Sequence, residues 1–216
     1  MNEANWDLEP HAAYQGSVLA LGAQFSVPPG IGFVDGGSIP YKPDALAKKK
    51  ENFANRAKLD PEVKCYMGGV PRSTYMPYPF QIIQGSGTIM IAYEYAGGVR
   101  TINMAKPTEA PTDSWMGWSN GHWEGETLVV DTVGYNERFW ISREGAPHTE
   151  ALHFVEHFTR QDYDTLKYEA TIDDPGAYTK PWSGGWFIRW TPGEEMYEYM
   201  CQENNRDVKH MYGGER

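Results

Sequence analysis

The chain has 216 residues, which is enough for one domain with a sizeable hydrophobic core. It carries 19 Lys and Arg against 29 Asp and Glu, so its formal net charge is −10, and its only basic run spans residues 48–50. Binding nucleic-acid phosphates needs clustered basic side chains, so these counts argue against a nucleic-acid partner. No run of about 18 apolar residues occurs, so neither a membrane span nor a membrane partner is expected.

The aromatic content is high, at 14%, with 8 Trp and 14 Tyr. Aromatic residues favour strands, and they also line pockets for apolar or ring-shaped ligands. Composition alone leaves both interpretations open: an aromatic core without a ligand, or a pocket for a small molecule.

The N-terminal 41 residues contain Pro28-Pro29-Gly30, Gly36-Gly37 and Pro40, which interrupt regular structure. We therefore predict an irregular arm over residues 1–41 that wraps the body. Residues 42–59 are the one good helix candidate, because Pro43 suits a first turn and alanines follow it. The lysines of this segment are expected to form its solvated face.

Beyond Pro61 the pattern becomes β, with apolar alternation broken by short Gly, Pro, Asn and Asp turns. The predicted strands are residues 80–84, 88–95, 99–104, 115–118, 122–123, 126–132, 150–160, 164–172, 186–190 and 195–203. Ser119-Asn120-Gly121 is predicted to be a hairpin turn, since Asn-Gly is a strong hairpin signal. Many short strands in succession favour an antiparallel up-and-down β-barrel or a strongly curved sheet. We predict a single domain over residues 1–216, with the barrel at 60–210.

The two cysteines, Cys65 and Cys201, lie too far apart in sequence to form a metal-binding motif. A single long-range disulfide between them stays open. Residues 17–27 are mildly apolar but have no basic residue before them, so they do not form a secretory signal. The chain as given is expected to be cytoplasmic, or the mature form of an exported protein.

Several carboxylates share a strand face with apolar or aromatic residues, namely Glu94, Asp131 and Glu203. A buried carboxylate is costly unless it is paired or lines a wet cavity, so together these residues indicate a polar-lined pocket. The alternative is that each points to solvent. His153 is the natural proton carrier beside them, and we predict that these four residues are catalytic. The predicted substrate-binding residues from this pattern are Tyr93, Arg100, Trp118, His122 and Trp186.

Other chemistries are less well supported by the sequence. His148, His153 and His157 do not have a metal-ligand spacing, because strand residues four apart are separated by about 13 Å. No serine stands in a Gly-x-Ser-x-Gly motif, and neither a phosphate loop nor a dinucleotide fingerprint is present. We therefore predict no metal and no cofactor.

Several longer motifs resemble a large bacterial family of unassigned function, whose members are often exported. They are the motifs WEGETLVVDTVGYN at 123–136, PHTEALH at 147–153, IDDPGAYTKPW at 172–182 and YMCQENN at 199–205. The resemblance covers roughly residues 60–210 and implies a lipocalin-like β-barrel, but it implies no reaction. It adds Asn136 and Asn204 to the predicted binding residues. The motif positions able to do chemistry are Asp131, Asn136, His148, Glu150, His153, Glu203 and Asn204.

The chain departs from the family pattern in two places. Residues 103–106 read Asn-Met-Ala-Lys where the family usually has Asp-Gly-Arg, and His122 stands where Arg is common. Both changes lie near predicted pocket residues and suggest a specialised member.

The function predicted from the sequence is a small cofactor-independent enzyme, a lyase or isomerase. It would transfer protons on an apolar or aromatic molecule held in the barrel, in an elimination, isomerisation or cyclisation. The alternatives are a non-catalytic binding protein for the same ligand class, and a hydrolase that uses a metal or paired carboxylates. A homo-oligomer stays open.

Overall fold

The computed structural model describes residues 17–20, 31–34, 38–76 and 78–201. Ten strands form one sheet: β1 Ser17–Ala20, β2 Ile31–Val34, β3 Phe80–Gln84, β4 Thr88–Tyr93, β5 Val99–Asn103, β6 Trp118–Glu124, β7 Thr127–Val133, β8 His153–Arg160, β9 Thr165–Asp173 and β10 Trp182–Arg189. Their order is β1-β2-β10-β9-β8-β7-β6-β5-β4-β3. The eight strands from β3 onward curl into a half-barrel. The prediction of a mainly β, curved and mostly antiparallel sheet is confirmed.

Short helices precede the half-barrel. They are α1 Pro43–Ala54, α2 Arg56–Leu59, a 3-10 turn at Pro61–Lys64 and α3 Arg72–Tyr75, and a second 3-10 turn at Tyr95–Gly97 follows β4. The single helix predicted over residues 42–59 is broken, because Asn55 leaves the helical conformation at φ −107° and ψ 12°. No helix among the described residues is long and apolar enough to span a membrane.

Two features of the predicted topology are wrong. The arm at residues 1–41 is not wholly irregular, because β2 pairs with β10 and β1 pairs with β2. Of the rest of the arm, the structure describes only residues 38–41, where Tyr41 forms an isolated β-bridge with Tyr178. The sheet is also not a pure up-and-down meander, because β5 and β6 pair in parallel through Ile102 and Ser119.

The predicted hairpin at Ser119-Asn120-Gly121 is wrong as well, since β6 runs through these residues without a turn. Gly121 is needed there for close approach. A Cβ atom on it would lie 2.6 Å from Cγ2 of Ile102 and 2.7 Å from the sulfur of Met104. The chain turns instead at Gly125-Glu126, between β6 and β7, where Gly125 has φ +61°.

The C-terminal segment also differs from prediction. Residues 190–201 contain no strand, and residues 202 and 203 of the predicted strand lie outside the described part. A disulfide joins Cys201 to Cys65, which answers the question that the sequence left open. The segment is therefore tied to the helical region rather than added to the sheet.

Strand alternation places the core. Along β8, Phe154, Glu156 and Phe158 are buried on the inner face, whereas the residues between them are only partly buried. The same alternation holds in β4, where Ile89 and Ile91 face inward.

Candidate functional site

A wide cleft lies between edge strand β3 and the turn that joins β8 to β9. It has two adjoining lobes of about 770 and 530 Å³. Ile82, Arg160, Tyr163 and Leu166 line both lobes, so the two form one continuous cleft. The first lobe is completed mainly by Ile89, Trp123, Leu128 and Phe158, and the second by Phe80, Ile188 and Trp190.

The cleft exists because the curl of the sheet stops short of closure there. Within the described part of the chain, edge strand β3 pairs with β4 alone, and β10 pairs with β9 and β2. The gap between β3 and the end of β10 is the second lobe.

The floor of the cleft is apolar and its rim is aromatic. Ile89, Leu128 and Phe158 are buried below it. At the rim, 49% of Trp123, 74% of Tyr163 and 49% of Trp190 remain exposed, and the last two rings are 5.2 Å apart. Large aromatic side chains left in water around an apolar depression are typical of binding surfaces.

An ion pair lies beside the floor of the cleft, because Glu156 is the next residue after Phe158 on the inner face of β8. Arg100 and Glu156 are fully buried, and Nη2 of Arg100 donates to Oε2 of Glu156 at 2.6 Å. The hydroxyl of Tyr168 donates to the other carboxylate oxygen at 2.8 Å. Burial is the largest single influence on the pKa of Arg100 and lowers it, but the Glu156 carboxylate together with Tyr93 and Tyr135 outweighs it, so the net pKa is raised and the guanidinium is charged.

One partner of this ion pair was predicted from the sequence, and the other was missed. The sequence identified Arg100 and Tyr93, but Glu156 was missed. The signal for it was available, because Glu156 alternates with Phe154 and Phe158 on one face of a strand. The hydroxyl of Tyr93 lies 3.1 Å from Oγ1 of Thr74, and burial raises the pKa of Tyr93.

Two of the predicted catalytic residues, His153 and Asp131, are in contact with each other, but they do not lie in the cleft. Nε2 of His153 and Oδ2 of Asp131 are 2.8 Å apart, and the two side chains are 42% and 48% exposed. Both residues alternate with inward-facing neighbours, Phe154 and Thr132, so they lie on the outer face of the sheet. The pair is therefore separated from the cleft by the thickness of the sheet.

The other predicted residues are dispersed. Glu94 accepts a hydrogen bond from the backbone of Tyr197, and Trp118 donates from its indole to Thr108. His122 is exposed, and its ring nitrogen is 3.0 Å from Glu124. Asn136 accepts a hydrogen bond from the backbone of Arg138. Trp186 packs in the core, with its ring centre 4.3 Å from that of Tyr168. Glu203 and Asn204 lie outside the described residues.

A second, smaller depression of about 320 Å³ adjoins His148. His148 is buried, its Nδ1 lies 3.1 Å from the carbonyl of Thr149, and its ring is tilted against that of Phe139 with the ring centres 4.0 Å apart. Burial lowers its pKa, although Asp174 and Glu137 act in the opposite direction. At pH values below about 6.5, the ordinary pKa of histidine, the unfolded chain therefore binds a proton at His148 more readily than the folded protein does.

We expect the protein to lose stability as pH falls below about 6.5, because protonation of His148 favours the unfolded chain. Urea unfolding between pH 7.5 and 5 measures this. The His148→Gln protein should have a shallower slope over that range, and the His122→Gln protein, altered at an exposed histidine, should keep the original slope. Equal slopes in all three proteins would contradict this assignment.

Among the described residues, no group of three or more His, Cys, Asp or Glu side chains is placed to hold a metal ion. No protein-family model, no curated protein and no solved structure matches this chain. The resemblance to the bacterial family therefore stays a prediction that depends on the motifs.

Proposed function

We propose that the protein binds an apolar or aromatic small molecule in the cleft. The observation that carries this proposal is the combination of an apolar floor with three exposed aromatic rings around it. Ligand sites of drug-sized molecules have volumes of roughly 300–1,000 Å³ and mostly apolar walls, and the two lobes fall in this range. A bound ring would cover the exposed indoles and remove their apolar surface from water.

Binding is favoured over catalysis because of where the titratable groups lie. Among the described residues, the charged side chains that line the cleft are Glu126, Arg160, Asp162, Asp164 and Arg189, and all but Asp164 are exposed to solvent. The predicted acid/base residue, His153, lies on the outer face. A ligand in the cleft would not reach it.

Proton-transfer catalysis is the second candidate, and it depends on the 2.8 Å contact between His153 and Asp131. A carboxylate that accepts from one imidazole nitrogen leaves the other nitrogen able to exchange protons with a substrate. The two candidates differ in what happens to the small molecule. Binding returns it unchanged after incubation, whereas catalysis converts it to product.

We also propose that the protein resides in an oxidising compartment, which agrees with the second of the two alternatives expected from the sequence, the mature form of an exported protein. The Cys65–Cys201 disulfide supports this, since such bonds persist mainly where thiols are not kept reduced. The test is thiol labelling of the protein in its native cells. A labelled pair of cysteines would contradict the proposal.

A Leu166→Trp substitution should weaken binding in the cleft at least tenfold. Leu166 lines both lobes, so a larger indole there would fill the space where they meet. We expect the affinity for the neutral dye N-phenyl-1-naphthylamine to fall at least tenfold, measured from its fluorescence increase. A methylene-sized misfit in an apolar pocket already costs about 1–3 kcal/mol, and an indole is far larger.

The matched control is Leu46→Trp on α1, where the leucine is exposed and does not line the cleft. Both variants should keep the circular-dichroism spectrum of the parent. If Leu166→Trp fails to fold, Ile82→Trp on the edge strand serves the same purpose, because Ile82 also lines both lobes. Undiminished dye binding in a folded cleft variant would refute the location.

A further inference from the structure

We propose that the ligand of the cleft carries one anionic group, and that Arg160 binds this group where the two lobes meet. This inference rests on the proposed function and specifies its ligand class: an amphipathic anion with an apolar ring or chain and a single carboxylate or sulfonate.

The position of Arg160 follows from strand alternation. It is the last residue of β8 and has the same parity as Phe154, Glu156 and Phe158, so it lies on the inner face above Phe158. It pairs across the sheet with Leu166 of β9. The side chain therefore leaves the apolar floor and lines both lobes.

The guanidinium of Arg160 is oriented but not neutralised. Its Nε donates to the carbonyl of Asp162 at 3.0 Å, and its Nη2 donates to the carbonyl of Tyr163 at 2.5 Å. Within the described part of the chain, no carboxylate lies within salt-bridge distance of it. Two carbonyl bonds hold the fork in place, and Nη1 is left with no partner among the described residues.

The carboxylates of the adjoining turn are engaged elsewhere. Asp162 accepts a hydrogen bond from the backbone of Asp164, and a side-chain hydrogen bond with Thr165 lowers the pKa of the Asp162 carboxyl. Asp164 lies 3.7 Å from Arg189. The second lobe is thus lined by two guanidinium groups and one carboxylate, and because Asp164 faces Arg189, Arg160 is the guanidinium left without a carboxylate partner among the described residues.

The first lobe suits the apolar part of such a ligand. Its floor of Ile89, Leu128 and Phe158 offers no charge, and its acidic residues, Glu126 and Asp162, are exposed at the rim. An anion would be repelled by these two carboxylates and attracted by Arg160. The charge pattern therefore orients the ligand, with its ring in the first lobe and its anionic group at the junction.

Two dyes with the same ring skeleton test this inference. One is 8-anilinonaphthalene-1-sulfonate, which carries a sulfonate, and the other is N-phenyl-1-naphthylamine, which lacks it. We expect the parent protein to bind both in saturable 1:1 titrations and the Arg160→Gln protein to bind the sulfonate about tenfold more weakly, since hydrogen bonds to charged groups are the stronger kind. The affinity for the neutral dye should change less than twofold.

The control is Arg138→Gln, which removes the same charge from an exposed loop that does not line the cleft. It should leave both affinities unchanged, which excludes a general effect of net charge. If neither dye binds the parent protein, the proposed function itself fails. If both dyes bind but Arg160→Gln weakens neither, or weakens both equally, the proposed function stands and the role of Arg160 is overturned.

Discussion

A Glu156→Gln protein is expected to lose about 3–5 kcal/mol of its free energy of unfolding, because the substitution leaves the Arg100 guanidinium buried without its counter-ion. Arg100 has little room to adapt. It is 2% exposed, and its Nε and Nη1 already have no hydrogen-bond partner among the residues that the structure describes. Urea unfolding followed by circular dichroism measures the loss, which is a large share of the stability of a typical domain.

The matched control removes both charges. An Arg100→Met, Glu156→Leu double variant leaves no unpaired ion, so it should be within about 2 kcal/mol of the parent protein even though each single change is severe. Tyr168 loses its hydrogen-bond acceptor in this variant, and that loss is the expected source of the remaining deficit. A double variant less stable than the Glu156→Gln protein would contradict this explanation, because it would show that the ion pair stabilises the fold by more than the avoidance of an unpaired buried charge.

Removing the disulfide is expected to have an effect of similar size. Cys65 and Cys201 are 136 positions apart, and constraining so long a loop in the unfolded chain is worth about 3–5 kcal/mol in the chain-entropy model. A Cys65→Ser, Cys201→Ser protein should therefore melt roughly 10 °C lower than the parent, since a chain of about 200 residues shifts by 2–4 °C for each kcal/mol.

Reduction provides the control for this experiment. Dithiothreitol should lower the melting temperature of the parent protein by the same amount and should leave the double-serine protein unchanged. The segment held by the disulfide also packs through Tyr199, whose ring lies 5.5 Å from Tyr78 and 5.6 Å from Tyr95. An unchanged melting temperature on reduction would mean that these aromatic contacts hold the segment without the covalent bond.

Regular alternation made most of the half-barrel predictable. The bounds of β3 were predicted as found, and those of β4 and β5 to within two residues, because glycine turns flank runs of β-branched residues. Gly121 misled the turn prediction, since a sequence cannot show that a neighbouring strand approaches the backbone so closely. Strands β1 and β2 were missed for a related reason, as their pairing depends on the free edge of β10.

The candidate site was less predictable than the fold. Alternation grouped Glu156 with phenylalanines, but which face of β8 pointed inward depended on the curl of the whole sheet. The register of β7 and β8 then placed His153 and Asp131 together on the outside. The cleft itself arises where the sheet fails to close between β3 and β10, and no local pattern encodes that gap.

The most direct test of the central claim is a titration of the isotope-labelled protein with N-phenyl-1-naphthylamine, followed by two-dimensional NMR. The account predicts that the backbone amide signals of β3, of the turn at residues 161–164 and of Ile188–Trp190 shift together and saturate at one dye per chain. Signals around Asp131 and His153, on the outer face, should stay in place. Shifts centred on that outer pair, with the cleft unaffected, would contradict the account.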